Sequence, residues 1–329
     1  MSTRRHITLF TEDRGISLQF TLQGLKSGLS VSLVSNINLS SVSYAYRKGL
    51  VAYDTELIDL YLKSFGAKAT LSLFRSKNQT LLLDLNDLGA MLPLPKGFLI
   101  NVLECVRAWI KREPHLEWLD ARGIPIHNLV PTICGFEAVP FLPLNRQLNL
   151  NPFFMGVISS RKRLIWSLHL KKHLRDKFDL TLLLPEIDIY PGLAYDRLRP
   201  GISAPYVIPF ANNYTPPASY AKRFLTRLPV LCLPGLGPVT ERHLQALSSG
   251  RLAIMDDSIS KLNIPMLELK SGSNCLIAST RNEMVQFAKD VMDDPSTALK
   301  IAKTGMEMFK DCYSPERWFL NHSDLLSGV

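Results

Sequence analysis

The chain has 329 residues, 46% of them hydrophobic, and a net charge of +9, which leaves room for two domains with their own apolar cores and excludes a disordered or low-complexity protein. The excess of Lys and Arg is +4 through Leu150 and +5 beyond it; no basic tail or single recognition helix concentrates it, and so even a spread suits small anions or acidic surfaces. Residues Met1 to His6 contain no apolar run, and the most apolar stretch, 88–106, is broken by Pro93, Pro95 and Lys96, so neither a signal peptide nor a membrane span is expected.

In chain order, Ile7 to Phe10 reads as a short strand and Thr11-Glu12-Asp13-Arg14-Gly15 as a loop. Ile16, Phe20, Leu22 and Leu25 then lie on or near one helical face, and Val31 to Val34 supplies a second strand. That is a βαβ opening, expected to be parallel and right-handed. Thr55 to Phe65 and Phe98 to Trp109 read as helices, Thr80 to Asp84 as a buried strand and Ile124 to Val130 as another. The proline-bearing run Val139 to Asn145 reads as a linker, with a hinge near residues 139 to 152.

A second βαβ opening follows: strand Phe153 to Ile158, Ser159-Ser160 as a cap, a helix from Arg161 to Leu174, and strand Asp179 to Leu184. The most informative stretch is 231–257, which joins a strand, the turn cluster Pro234-Gly235-Leu236-Gly237-Pro238, a helix with Thr240 as N-cap and Gly250 as stop, and a strand over Arg251 to Met255. A helix that starts at a glycine loop aims unpaired N–H groups and a positive dipole end at whatever lies before it, and a diphosphate suits that field. Residues 280–293 and 295–309 read as consecutive helices, and Ser314-Pro315 opens a last helix through Trp318 and Leu320. The expected fold class is α/β with two domains, residues 1–145 and then 146–312, and a terminal helix over 313–329.

From about Phe153 to Leu326 the chain resembles the C-terminal domain of glycosyltransferases of the two-Rossmann GT-B fold, especially the spore-maturation-like and exostosin-like branches. The resemblance rests on a strand, Gly156 and the Arg-rich helix start Arg161-Lys162-Arg163; on the tyrosine-bearing segments Asn213-Tyr214 and Tyr220-Ala221-Lys222; on Arg242-His243-Leu244-Gln245-Ala246-Leu247-Ser248-Ser249-Gly250; and on Gly272-Ser273-Asn274 before a helix pair. It implies an α/β fold of two Rossmann-like domains facing across a cleft, with the terminal helix returning to the first domain. It also implies transfer of a sugar from a nucleotide diphosphate donor to an acceptor hydroxyl, without metal or further cofactor. The implied donor-binding residues are Gly156, Arg161, Arg163, Tyr220, Lys222, Gly235, Gly237, Thr240, Glu241, Arg242 and Gln245. Where many relatives place a ribose-binding glutamate, this chain has Gln245, which offers one acceptor oxygen beside a donor. The absence of a second glutamate at the position of Ser249 leans toward inversion.

Inverting transfer needs a general base, and the loop after the first strand is where open parallel sheets present functional groups. Asp13 is the first choice, with Glu12 beside it; Asp84 and Asp87 are rivals, and His127 is a further acid-base alternative. His169 and His173 stand at helical i, i+4 spacing, but without the intervening glutamate of a zinc protease, so a surface role is the better reading. Five widely spaced cysteines point to reduced thiols in a cytoplasmic protein. The acceptor stays open among a glycan, a lipid-linked sugar and a hydroxymethylated DNA base, the positive charge favouring an acidic one. Two other classes stay open, another nucleotide-dependent α/β enzyme and a non-catalytic polyanion-binding module.

Overall fold

The computed structural model describes residues 5–11, 16–85, 92–133, 135, 148–158, 160–184, 207–209, 217–234, 239–262, 264 and 266–327. The chain divides into two compact units: Met1–Phe136 with Leu262–Leu267 and Cys312–Val329, and Glu137–Lys261 with Glu268–Asp311.

The first unit is built on a six-stranded sheet of β1 (His6–Phe10), β2 (Ser30–Val34), β3 (Leu50–Asp54), β4 (Thr80–Asp84), β5 (Ala108–Arg112) and β6 (Leu129–Thr132), in the order β2-β1-β3-β4-β5-β6. Every pairing is parallel. Strands β3, β4 and β5 are buried on both faces, and β3 and β4 read as near-continuous apolar runs, the signature of a helix-covered parallel sheet. The helices are α1 (Ile16–Gly28), α2 (Leu39–Lys48), α3 (Thr55–Leu71), α4 (Lys96–Cys105) and the short α5 (Leu116–Asp120). Phe10, Tyr53, Leu82, Leu99, Val102 and Trp109 form the centre of one core.

Two sequence expectations are corrected here. Phe98 to Trp109 is not one helix: α4 ends at Cys105, Val106 is extended, and Trp109 belongs to β5. The Asn128 amide takes the carbonyls of Leu103 and Val106, while Arg107 and Trp109 donate their backbone N–H groups to Thr80 and Asn128. The sheet thus captures a stretch whose apolar residues suit either element. The strand expected over Ile124 to Val130 begins only at Leu129, after Pro125, which has no N–H to give to a ladder.

At the carboxyl ends of this sheet the polar groups are buried. Order reverses between β1 and β3, and there Thr11 Oγ1 donates to Asp54 Oδ2 at 2.7 Å, while Asp54 Oδ1 accepts the Glu56 N–H and caps α3. Asp84, a rival for the base, pairs with Lys111 Nζ at 2.6 Å, each side chain 1% exposed. Glu113, just past β5, is buried and holds a left-handed φ of 45°, uncommon for a residue with a Cβ. His127 lies exposed in the turn before β6.

Three helices close the described chain: α10 (Pro295–Cys312), α11 (Pro315–Asn321) and α12 (Ser323–Ser327), the last two in the first unit. Ser314 Oγ accepts the Arg317 N–H and Pro315 occupies the first turn. Helix α11 packs on α1 through two glycines: a Cβ on Gly24 would lie 2.5 Å from the Trp318 ring, and one on Gly28 2.0 Å from the Phe319 ring. Trp318 is fully buried, and its Nε1 donates to Thr132 Oγ1 at 2.7 Å.

The second unit repeats the plan with β7 (Phe153–Val157), β8 (Asp179–Leu184), β9 (Val207–Pro209), β10 (Pro229–Cys232), β11 (Leu252–Asp256) and β12 (Leu276–Ala278), ordered β12-β11-β10-β7-β8-β9 and all parallel. Its helices are α6 (Arg161–Leu174), α7 (Pro217–Leu225), α8 (Glu241–Ser248) and α9 (Arg281–Asp293), with most of α10. This is the doubly wound strand order, with its switch point between β7 and β10.

Candidate functional site

Just past β7 and β10, Ser160 Oγ donates to the Pro234 carbonyl at 3.4 Å, and two expected donor residues meet at the same switch point. A Cβ on Gly156, in β7, would stand 2.8 Å from Arg242 Nη2. The glycine is there for space: the Arg242 guanidinium crosses the strand, donates to the Met155 carbonyl and lies 4.5 Å from the Phe154 ring centroid. A strand residue with no side chain and an arginine from the first turn of α8 therefore specify one another.

Arg163 is 6% exposed and ties the two loop starts together. Its Nε donates to the Pro234 carbonyl at 3.0 Å, Nη2 to Leu233 at 3.2 Å and Nη1 to Val157 at 2.5 Å. Ser160 Oγ caps the same helix by accepting the Arg163 N–H at 3.1 Å. Arg163 thus fixes where the Pro234 turn departs from β10, while Arg161 opens α6.

Lys162 carries a contact that sequence reading missed. Its ammonium donates to Asp256, fully buried at the end of β11, and to Asp257 at 3.2 Å. Burial pulls the Lys162 pKa down, but the two carboxylates outweigh it and hold the group above the ordinary lysine value. The adjacent aspartates in Met255-Asp256-Asp257, at the end of an apolar run, were the available signal.

Thr240 has the extended conformation of an N-cap, φ −123° and ψ 159°, at the start of α8. Its backbone N–H donates to His243 Nδ1 at 3.0 Å, so a histidine takes the part that Glu or Gln plays in a capping box. Burial pushes His243 down to about 3, so the ring stays neutral. The unfolded chain binds this proton below about pH 6.5 and the folded chain only near 3. Stability is therefore present above that window and lost as pH falls through it, by about 1.4 kcal/mol per unit for one group. His243→Gln keeps an acceptor for the cap and removes the titration; its stability between pH 6 and 4, followed by urea unfolding, is expected to fall less steeply than wild type, and an unchanged slope would refute the assignment.

Tyr220, on α7, donates its hydroxyl to Gln245 Oε1 at 3.0 Å, and burial raises the tyrosine above its ordinary value. Two further expected donor residues are thus joined. Glu241 is exposed in the first turn of α8 and Lys222 is exposed on α7. Lys222 and Arg242 form no ion pair with a described carboxylate, whereas Lys162, Arg223 and Arg227 all do. Gly235, Gly237, Glu12, Asp13 and Asp87 lie outside the described residues, as does the side chain of Arg161.

Elsewhere the His169 and His173 rings lie 4.4 Å apart, with His169 Nε2 2.9 Å from Asn282 Oδ1. No cluster of three or more metal-ligating side chains occurs among the described residues. Cys105, Cys232, Cys275 and Cys312 are free thiols, and burial pushes Cys232 and Cys275 up to about 12.

No protein-family model matches the sequence, and no curated protein matches it. Solved structures do match in three dimensions. Alr3699/HepE of Anabaena in complex with UDP aligns over 98% of this chain and 99% of that one, with TM-score 0.62 and 12% identity. The same protein in complex with UDP-glucose gives 0.61 over 98% and 100% of the two chains, at 12% identity. Sucrose-phosphate synthase from Thermosynechococcus elongatus gives 0.60 at 13% identity over 98% of each chain.

The chain has the GT-B fold. This likeness in fold spans both sheets, beyond the stretch from Phe153 to Leu326 that carries the resemblance in sequence. Within this GT-B chain, Arg242 lies against Gly156 at the β7–β10 switch point, and Arg163 joins the ends of the two strands through Val157, Leu233 and Pro234.

Proposed function

We propose that the protein is a glycosyltransferase that binds a nucleoside diphosphate sugar at the β7–β10 switch point and transfers the sugar to an acceptor hydroxyl. The observation that carries this reading is Arg242: its guanidinium is laid across Gly156 at the carboxyl end of β7, in the first turn of a helix, and has no carboxylate partner among the described residues. A cation so placed, with the N-termini of α6 and α8, matches the charge that develops on a departing diphosphate. The UDP and UDP-glucose complexes of a protein with the same fold support it.

In this reading Arg242, Arg161 and Lys222 face the diphosphate. Gly235 and Gly237 let the backbone approach it, Thr240 and Glu241 begin the helix behind it, and Tyr220 orients Gln245 toward the nucleoside. Arg163 and Gly156 position the loops and Arg242. The acceptor oxygen attacks the anomeric carbon as the bond to the diphosphate breaks, with inversion and without a metal. The acceptor proton passes to Asp13, or to Glu12 beside it. The domain parse of residues 1–145, 146–312 and 313–329 and a cytoplasmic setting belong to the same proposal. So does an acidic acceptor, a surface glycan or a hydroxymethylated base in DNA.

A thermal-shift panel with UDP, GDP, ADP, CDP, dTDP and NAD tests the reading. A nucleotide at about one hundred times its dissociation constant adds roughly 2.7 kcal/mol, a shift of several degrees. One nucleoside diphosphate is expected to give that shift in wild type and none in Arg242→Ala of unchanged circular dichroism. A shift with NAD alone would point to a nicotinamide enzyme, and salt-sensitive DNA binding with no nucleotide shift to a polyanion-binding module; either result rejects the proposal.

A further inference from the structure

The carboxyl end of β11 carries more charge than its fold requires. Asp256 does the structural work there: it is fully buried, and its Oδ2 accepts from the Lys162 ammonium and from the Ser258 N–H, the latter at 3.2 Å, which opens the 3-10 turn Asp257–Lys261. Asp257 takes no part in that. Its one hydrogen-bond partner among the described residues is Lys162 Nζ, 3.2 Å from Oδ1, and its side chain is 38% exposed. Two carboxylates against one ammonium leave this corner one negative charge in excess, next to helix N-termini that favour anions.

Lys162 fixes where that charge stands. It belongs to the first turn of α6, the helix whose cap Ser160 donates to the Pro234 carbonyl, and its ammonium lies 5.0 Å from the Trp166 ring centroid. Asp257 is therefore held within one lysine side chain of the α6 N-terminus, on the β11 side of the β7–β10 switch point. The Tyr220–Gln245 contact is elsewhere, between α7 and α8, with the Tyr220 ring packed on Phe153 at the start of β7. A nucleoside diphosphate sugar has two ends beyond its phosphates. With Gln245 on the nucleoside, Asp257 stands at the other. A carboxylate at that place repels phosphate but suits hydroxyls, because it only accepts and can take two donors at once. Asp256 Oδ1 and Ser258 Oγ, both buried, have no hydrogen-bond partner among the described residues, so the chain alone does not close the polar layer at this corner.

We propose that Asp257 accepts hydrogen bonds from adjacent hydroxyls of the sugar carried by the donor, a hexose, with Lys162 and Asp256 positioning it. This inference rests on the sugar-transfer reading and on its placement of the nucleoside. Calorimetric titration of the full chain with UDP, GDP, ADP, CDP and dTDP, and with the glucosyl ester of each, tests it. For the base that binds, Asp257→Ala is expected to weaken the glucosyl ester at least about tenfold, as hydrogen bonds to a charged acceptor are lost. The bare diphosphate is expected to bind as tightly as to wild type or more tightly, since a like charge has gone. Asp257→Asn, which keeps one acceptor oxygen, is expected to fall between. Asp256 retains Lys162 in both variants and Asp257 is partly exposed, so wild-type melting points without ligand are expected and serve as the folding control.

A ratio of the two dissociation constants that Asp257→Ala leaves within about twofold of wild type, whether both weaken together or neither moves, overturns the inference. So does a wild type that takes a diphosphate and rejects its glucosyl ester. Both results leave nucleoside diphosphate binding in place. Binding of none of these compounds by wild type overturns the sugar-transfer reading itself, and the assignment of Asp257 falls with it.

Discussion

Replacing Arg163 with methionine is expected to lower the stability of the second unit by about 3 kcal/mol and to remove the nucleotide-induced shift together with it. The side chain supplies hydrogen bonds to the carbonyls of Val157, Leu233 and Pro234. Charged donors contribute about 1.5 to 3 kcal/mol each, while the desolvation of a buried guanidinium opposes them. A loss of that size lowers the melting point by roughly 6 to 12 °C for a unit of this length. Arg163→Lys is expected to recover little, because an ammonium cannot span three carbonyls on two loops as a planar fork does. If instead Arg163→Met kept the wild-type melting point and lost only the nucleotide response, Arg163 would be a ligand contact and its positioning role would be wrong.

The second large effect lies in the other unit. Lys111→Met leaves Asp84 at 1% exposure without the ammonium 2.6 Å away, and removing one member of a buried pair costs about 3–5 kcal/mol. Adding Asp84→Leu is expected to restore most of that stability, since a buried pair replaced by apolar side chains of similar volume is often neutral or stabilising. The two variants are compared by urea midpoint at constant slope. A single variant within about 0.5 kcal/mol of wild type would show that the pair does not carry the carboxyl end of β4 and β5. The same comparison bears on Asp84 as a base: a carboxylate held by a buried lysine is poorly placed to take a proton from an acceptor.

How much of this was legible depends on whether local pattern and tertiary context agreed. The strand before the glycine loop and the helix and strand after it were legible because Thr240, the apolar runs and Gly250 each state a boundary. The parallel sheets followed from alternating apolar runs and helical faces. Strand β5 was not legible, because Ala108-Trp109-Ile110 continues the apolar pattern of α4 and only the Asn128 amide and the neighbouring strands divide them. In the site, Gly156 and Arg242 could each be singled out from sequence, but not that one exists to make room for the other across 85 intervening positions. Arg163 was visible as a cation; that its charge faces three carbonyls is information held by the loops it joins. Lys162 with Asp256 was hidden for the same reason.

The packing of Trp318 and Phe319 against Gly24 and Gly28 makes the first unit discontinuous in time as well as in sequence. A ribosome releases helix α1 long before it has made residues 312–327, and the whole second unit emerges in between. Until then the two glycines face water, and Thr132 lacks the indole N–H that it later accepts from Trp318. Completion of the first unit therefore waits on residues 312–327, and a product lacking them leaves the face of α1 around Gly24 and Gly28 without its Trp318 and Phe319 cover.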